Sequence, residues 1–159
     1  NIASVGFDAE VNEYALKVKK FIKSGFAYKI AIALTLFHHK RKRYKLIIDD
    51  VEYEDDYFLI AVGIGSKYGG KINILPYADM KDGLLDICAI RYKSKFDIIK
   101  KIKTIVNATH VNEDITTCFK AKKIKIISKN IEINFDGEYM SGVDEVEFMV
   151  NDKKVELIM

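Results

Sequence analysis

The sequence has few of the residues that usually separate one domain from the next. Only one proline and nine glycines occur among its 159 residues, and no proline-rich or glycine-rich stretch divides the chain. A chain of this length is long enough to bury a hydrophobic core. We therefore predict one folded domain over residues 1–159.

Cysteine is also scarce. Cys88 and Cys118 lie far apart in apolar stretches, without a C-x-x-C pair or paired histidines nearby. This spacing is typical of small buried apolar residues and excludes a disulfide scaffold or a zinc site. Because the sequence shows neither disulfide framework nor signal peptide, we predict a cytoplasmic protein.

Long apolar runs are absent as well. The longest run, Ile30–Phe37, is well short of the roughly 20 residues that a membrane span requires. The basic run His38–Arg43 follows it directly, and a second cluster lies at Lys120–Lys125. A solvated helix end explains the first cluster, and peripheral contact with an anionic membrane is the functional alternative. Neither cluster contains interleaved aromatic residues, so we predict no nucleic-acid partner.

Apolar spacing predicts helices at Val11–Ile22, Phe26–Phe37 and Phe96–Asn107, the last with Phe96 and Ile99 on its apolar face together with Ile102 and Val106. An acidic loop is expected at Asp49–Asp56. Alternating patterns predict strands at Tyr44–Ile48, Tyr57–Val62, Lys71–Leu75, Leu85–Ile90, Phe119–Ile127, Ile131–Phe135, Val146–Val150 and Lys154–Met159, the last two as a hairpin around Asn151-Asp152. We therefore predict an α+β, mostly β fold: an antiparallel β-sandwich with two N-terminal helices and one inserted helix.

Several segments combine glycine with carboxylates in a way that packing does not require. In Gly6-Phe-Asp8-Ala9 the aspartate has the position of a helix cap. The glycine-rich run 63–70 fails both nucleotide-binding patterns, because Tyr68 takes a required glycine position and no G-K-S/T follows.

Two later segments have the residues of a cation or proton-transfer site. Asp82-Gly83 precedes a predicted strand, where a carboxylate and loop carbonyls suit Mg²⁺. Asp136-Gly137-Glu138 is a common hairpin turn, but residues i and i+2 of an extended segment point the same way. Asp136 and Glu138 are therefore also candidates to orient a metal ion or to accept a hydroxyl proton.

Together these segments resemble the C-terminal half of the bacterial diacylglycerol kinase family, within the wider diacylglycerol and sphingosine kinase superfamily. The resemblance covers essentially the whole chain. It is carried by G-F-D-A at the start, by the block G-G-x-x-x-x-x-P-x-A-x-x-x-D-G-x-L-D from Gly69 to Asp86, and by the late D-G-E. The sequence departs from the family at Ile64, often asparagine, and at Lys71, often a third glycine, which affects the expected acceptor.

The resemblance implies a two-domain, ATP-dependent kinase whose active site lies between the domains. This chain lacks the G-G-D-G-T loop that binds ATP in the N-terminal domain, so it would be the acceptor-side half, inactive alone. Asp8 would lie near the lipid hydroxyl, and Asp136 and Glu138 would reach the transfer site, with Glu138 as general base. Asp82, with backbone carbonyls of Asp79 and Leu84, would hold Mg²⁺. The start at Asn1 in mid-pattern likewise favours a fragment.

The expected acceptor is a lipid, with diacylglycerol first. A sphingoid lipid, another glycerolipid or an NAD-like acceptor are alternatives, as is a non-catalytic domain that binds a membrane or a partner through its basic clusters. We also expect peripheral membrane association and a capacity to form homodimers.

Overall fold

The computed structural model describes residues 1–19, 26–68 and 72–151. Its helices are α1 (Phe7–Lys19), α2 (Phe26–His38) and α3 (Lys95–Val106), with a short 3₁₀ helix at His110–Asn112. Its strands are β1 (Ile2–Gly6), β2 (Arg43–Ile48), β3 (Val51–Gly63), β4 (Leu85–Arg91), β5 (Thr116–Ala121), β6 (Lys123–Phe135) and β7 (Glu138–Met149). The predicted α+β, mostly β class is confirmed.

Two long strands organise the sheet. β3 and β6 each span 13 residues, and each pairs with both β1 and β2 in antiparallel register. These four strands therefore close into a barrel-like ring. β4 and β5 extend the sheet beyond β3, and β7 pairs along β6.

The core has two parts. One cluster lies between strands and includes Val5, Leu46, Ile60 and Ile133. The other packs the sheet against the helices and includes Phe7, Phe58 and Ile98. Burial of these side chains is the main stabilising term of such a fold. Asp8 follows directly after Phe7 and so lies where the sheet meets the helical layer.

The predicted acidic loop Asp49–Asp56 is wrong. Only Asp49 and Asp50 turn the chain, with φ of 43° and 71°, and Val51–Asp56 continues as strand β3. Both φ values match a two-residue hairpin turn, which aspartate tolerates. Glu52 and Glu54 stay exposed and pair with basic residues of β2, as Glu52 does with Lys45 at 2.7 Å, whereas Asp56 is buried.

Other strand boundaries also differ. The strand predicted at Lys71–Leu75 is not formed in its described part, 72–75. Ile72 makes an isolated bridge to Tyr68, and Ile74 and Leu75 are buried in an irregular segment. The predicted strand Phe119–Ile127 is divided where the Asp49 carboxylate accepts the Lys122 and Lys123 N–H groups. The predicted strand Lys154–Met159 lies outside the described residues.

The predicted apolar face of α3 is wrong at Phe96 and Ile99, which are exposed, whereas Ile98 is buried at 2% exposed. Ile102, predicted on the same face, is half-buried, and the side chain of Val106 lies outside the described residues. The helix has apolar residues on more than one side, so spacing alone selected the wrong one. Cys88 is buried as predicted, but its cross-strand partner Cys118 is exposed because β5 has no second neighbour in the described sheet.

Candidate active site

A sharp change from strand to helix positions Asp8. β1 ends at Gly6, whose φ is +91° and where a Cβ atom would lie 2.7 Å from the Phe58 carbonyl oxygen. Only glycine fits this position. Helix α1 starts at the next residue, and Asp8 lies buried in its first turn, 7% exposed. The helix N-terminus favours its negative charge.

The Asp8 carboxylate is held through one oxygen. Its Oδ2 accepts hydrogen bonds from the Ser4 hydroxyl at 2.5 Å and from Asn134 Nδ2 at 2.9 Å. Both partners are neutral side chains, not the backbone N–H groups that a helix cap would satisfy. Among the residues described, no hydrogen bond reaches Oδ1. The second oxygen is therefore the one available to a ligand.

Asn134 connects Asp8 to the D-G-E segment. Its Oδ1 accepts hydrogen bonds from Asn12 Nδ2 at 3.2 Å and from the Gly137 N–H at 3.0 Å, and Asn12 Nδ2 also donates to the Gly137 carbonyl at 2.7 Å. Sequence reasoning missed both asparagines. Asn134 does not stand out in the sequence, because a polar residue between Ile133 and Phe135 is the ordinary alternation of a strand.

The D-G-E segment is a two-residue hairpin turn followed by a strand. Asp136 and Gly137 have φ of 45° and 100°, and Phe135 pairs with Glu138 across the turn. The segment is therefore a turn, whereas the predicted convergence of Asp136 and Glu138 assumed an extended segment. The Asp136 carboxylate instead accepts a hydrogen bond from the Ile2 N–H at 3.1 Å. Glu138 is exposed at the start of β7.

Two cavities meet at Asp8. A polar cavity of about 390 Å³ is lined by Ser4, Asn12, Lys67, Asn134, Asp136 and other residues. An apolar crevice of about 70 Å³ lies between the helices and the sheet and is lined by Phe7, Val11, Ile32, Phe58, Ile102 and Ile105, among others. Asp8 and Tyr68 line both spaces, and among the described residues that line the crevice Asp8 alone is charged. A carboxylate at such a junction suits an alcohol with an apolar tail.

The residues predicted to bind Mg²⁺ are arranged differently. Asp82 Oδ1 accepts the Leu84 N–H at 2.9 Å, and its Oδ2 pairs with the Lys120 ammonium group at 2.7 Å. Lys120 also lies 3.1 Å from the buried Asp86 carboxylate. Asp79 accepts the Lys81 N–H through its side chain and the Asp82 N–H through its carbonyl.

This arrangement does not fit a divalent cation. The Lys120 ammonium group already balances the charge of Asp82, and its hydrogen bond is the main cause that lowers the pKa of Asp82. Over 1–19, 26–68 and 72–151, no group of three metal-ligating side chains is present. The assignment of Asp82, Asp79 and Leu84 as metal ligands therefore stays a prediction.

Both arginines of the predicted membrane-contacting basic run form ion pairs with acidic residues. Arg41 pairs with Asp56, and Arg43 pairs with Glu54 at 2.8 Å. In the second cluster Lys123 and Lys125 pair with β7 glutamates at 3.0 and 2.7 Å. Much of the charge in both clusters therefore serves cross-strand pairing. No helix in the described part of the chain is long and apolar enough to cross a membrane.

The chain has relatives among known proteins. Residues 1–158 match the family model described as "YegS C-terminal NAD kinase beta sandwich-like domain". A protein named diacylglycerol kinase from Mycobacterium tuberculosis is 30% identical over 139 residues, which is 87% of this chain and 45% of that relative. A protein of Chromohalobacter salexigens, named "Probable lipid kinase YegS-like", is 25% identical over 139 residues, 87% of this chain and 45% of its own length.

Solved structures show the same architecture. The crystal structure of a diacylglycerol kinase from Bacillus anthracis superposes with a TM-score of 0.57 at 17% identity, over 94% of this chain and 46% of that one. At this identity the likeness shows the fold alone. The chain spans about half the length of the curated relatives that it matches.

Proposed function

This chain belongs to the family of YegS C-terminal NAD kinase beta sandwich-like domains, and from that premise we propose that it is the acceptor-side half of an ATP-dependent lipid kinase. The acceptor is a lipid hydroxyl, with diacylglycerol as the first candidate. ATP binds mainly to an N-terminal domain that this chain does not contain. The named relatives support the kinase chemistry, and the rest of the proposal depends on the geometry around Asp8.

The observation that carries the proposal is the free oxygen of a buried carboxylate at the junction of a polar and an apolar space. Asp8 Oδ2 is held by Ser4 and Asn134. Oδ1 is thereby left open toward the space in which the acceptor hydroxyl lies, while the hydroxyl proton stays free for another carboxylate. The polar cavity receives the head group and the phosphoryl donor, and the crevice receives the start of the lipid chain.

The reaction requires positioning and a place for one proton. The acceptor oxygen forms a bond to the γ-phosphorus while the bond between that phosphorus and the β–γ bridging oxygen breaks, and ADP leaves. The hydroxyl proton passes to a carboxylate, for which we propose Glu138. Gly137, directly before Glu138, lines the polar cavity, so this exposed glutamate stands at its rim. Asp136 fixes the turn through Ile2, which makes it a positioning residue.

The test is phosphate transfer by the full-length protein that contains this chain. ATP-dependent incorporation into diacylglycerol in mixed micelles would be compared between the natural protein and Glu138→Gln. We expect a fall of at least about 100-fold, because general bases typically contribute that much. The isolated chain is expected to be inactive.

Glu145→Gln is the matched control. Glu145 lies on the same strand, is similarly exposed and pairs with Lys125 at 2.7 Å. We expect this variant to stay within about twofold of the natural rate, since surface pairs contribute little. Transfer to a sphingoid base or another glycerolipid instead of diacylglycerol would change the identity of the acceptor but not the proposed lipid-kinase reaction. A folded, ATP-binding protein that phosphorylates no lipid hydroxyl would contradict the proposal.

A further inference from the structure

The outer ends of α2 and α3 expose a patch of large apolar side chains. Phe37 is 78% exposed, Phe96 66% and Ile99 54%. Lys95 Nζ donates a hydrogen bond to the Phe37 carbonyl at 2.6 Å and so joins the end of α2 to the start of α3. Phe37 and Phe96 therefore belong to one surface. We name Leu34, Phe37, Phe96 and Ile99 the α2–α3 tip.

The α2–α3 tip is not needed for the core. α3 already buries Ile98 and lines the apolar crevice with Ile102 and Ile105. Phe96 and Ile99 lie three residues apart, and so do Leu34 and Phe37, which places each pair on one helix face. Contiguous exposed apolar groups of this kind usually mark an interaction site.

The charges around the tip are positive. Lys100 Nζ lies 4.2 Å from the centre of the Phe96 ring, and Lys95 contacts a carbonyl, so among the described residues neither makes an ion pair. Residues 93–103 contain five lysines, of which Lys93 forms an ion pair with Asp114, and one acidic residue, Asp97, which accepts a hydrogen bond from the Ser94 hydroxyl. Arginines of the basic run differ, since Arg41 and Arg43 have carboxylate partners.

We propose that the α2–α3 tip docks on an anionic phospholipid bilayer. Phe37, Phe96 and Ile99 enter the boundary between head groups and acyl chains, and Lys95 and Lys100 contact lipid phosphates. This membrane contact rests on the proposed lipid-kinase function, which requires access to a lipid substrate. The apolar crevice is lined by Ile32 of α2 and Ile102 of α3, so a lipid taken up between these helices reaches Asp8.

Vesicle binding tests the proposal without turnover. The full-length protein, without ATP, would be sedimented with vesicles of phosphatidylcholine containing phosphatidylglycerol, and with vesicles of phosphatidylcholine alone. We expect binding to the anionic vesicles, and a loss of at least about tenfold in Phe37→Ser/Phe96→Ser because apolar insertion is removed. Lys95→Gln and Lys100→Gln should each weaken binding roughly fivefold, and added salt should do the same.

Val51→Ser is the matched control for insertion. Val51 is 54% exposed, as Ile99 is, but follows the acidic turn Asp49-Asp50. Val51→Ser and Arg41→Gln/Arg43→Gln should bind as the natural protein does. Circular dichroism would confirm that each variant is folded.

Three outcomes would overturn the proposal: equal binding to neutral vesicles, no loss in the double phenylalanine variant, or an equal loss in Val51→Ser. Self-association that the double variant abolishes, without vesicle binding, would instead assign the tip to contact between copies. Because binding is measured without ATP, an absence of kinase activity leaves the result unaffected.

Discussion

Two acidic regions of the molecule handle their charge in opposite ways. Asp8 is buried and its hydrogen-bond partners are neutral, the Ser4 hydroxyl and the Asn134 amide. Asp82 and the buried Asp86 share the ammonium group of Lys120. The first carboxylate keeps its charge directed at a cavity, whereas the charge of the second pair is balanced by a lysine at the surface.

Under the proposed function, this difference distinguishes a functional carboxylate from a structural one. Burying a charge without a counter-ion is costly, so dipoles such as the Ser4 hydroxyl and the Asn134 amide must support it. Asp82 instead has a lysine partner at the protein surface. From composition alone the two regions look alike, because each combines aspartate with glycine before or after a strand.

The strongest test of the comparison is to neutralise one carboxylate in each region. Asp8→Asn keeps an oxygen that can accept both hydrogen bonds, so the fold should persist. Kinase activity of the full-length protein should nevertheless fall by about 100-fold or more, because the acceptor hydroxyl loses its charged partner. Activity assays beside thermal unfolding would separate the two effects.

Asp82→Asn is the control for that experiment. It should lower the melting temperature of the protein while leaving the activity within a few-fold of the natural value, since Asp82 does not line the polar cavity. The opposite pattern, an inactive Asp82→Asn beside an active Asp8→Asn, would reverse the assignment of the two regions.

A second prediction concerns the residue that holds Asp8. Asn134→Leu removes the donor to Asp8 and the acceptor of the Asn12 and Gly137 N–H groups. We expect a loss of about 2–4 kcal/mol in the free energy of unfolding, because buried polar groups lose their partners. Urea titration would measure it.

Asn12→Ala provides the graded comparison, with an expected loss of about 1 kcal/mol. Asn134 would still accept the Gly137 N–H in that variant and still donate to Asp8. Equal losses in the two variants would show that Asn134 has no central role.

The smallest expected effect is at Lys120. Lys120→Met leaves Asp82 and Asp86 without their cation and should lower the melting temperature. Millimolar Mg²⁺ should leave the natural protein unchanged and should partly restore the variant, because the divalent ion can then approach. A natural protein that Mg²⁺ stabilises would instead support the metal site at Asp82, Asp79 and Leu84.

The ion pair of Asp82 with Lys120 predicts that the stability of the protein depends on pH. Lys120 and the Leu84 N–H lower the pKa of Asp82 below its ordinary value of 3.8. A lowered folded-state pKa stabilises the protein above that ordinary value, and the stabilisation disappears as the pH falls through the folded value. Stability below about pH 4 should therefore fall less steeply in Asp82→Asn than in the natural protein, which acid unfolding would test.

The sequence predicted the bounds of elements whose apolar or alternating run ends abruptly. β2 and β4 were predicted to within one residue at each end, and α2 likewise. Prediction failed where both sides of an element are apolar, as in α3, or where apolar residues are buried without a strand, as at Ile74 and Leu75. Hydrophobic periodicity alone cannot show which of two apolar faces is buried.

For the candidate site, the sequence predicted individual carboxylates but not their surroundings. Asp8 was found through Gly6 and the strand-to-helix change. Asn134 was missed, since its importance depends on a contact with Asp8 over 126 residues of chain. The Lys120 pairing was missed for the same reason, and it changes how Asp82 is interpreted. Long-range side-chain pairing leaves no local pattern in a sequence.

The Asn134 amide also provides a spectroscopic probe of this site. Its two N–H protons give a pair of signals in a nitrogen-15 correlation spectrum, and one of the two hydrogen-bonds to the Asp8 carboxylate. A molecule that binds at the other oxygen of Asp8 changes the electron density of that carboxylate and shifts the Asn134 signal. Acceptor binding can therefore be followed by titration in the absence of nucleotide.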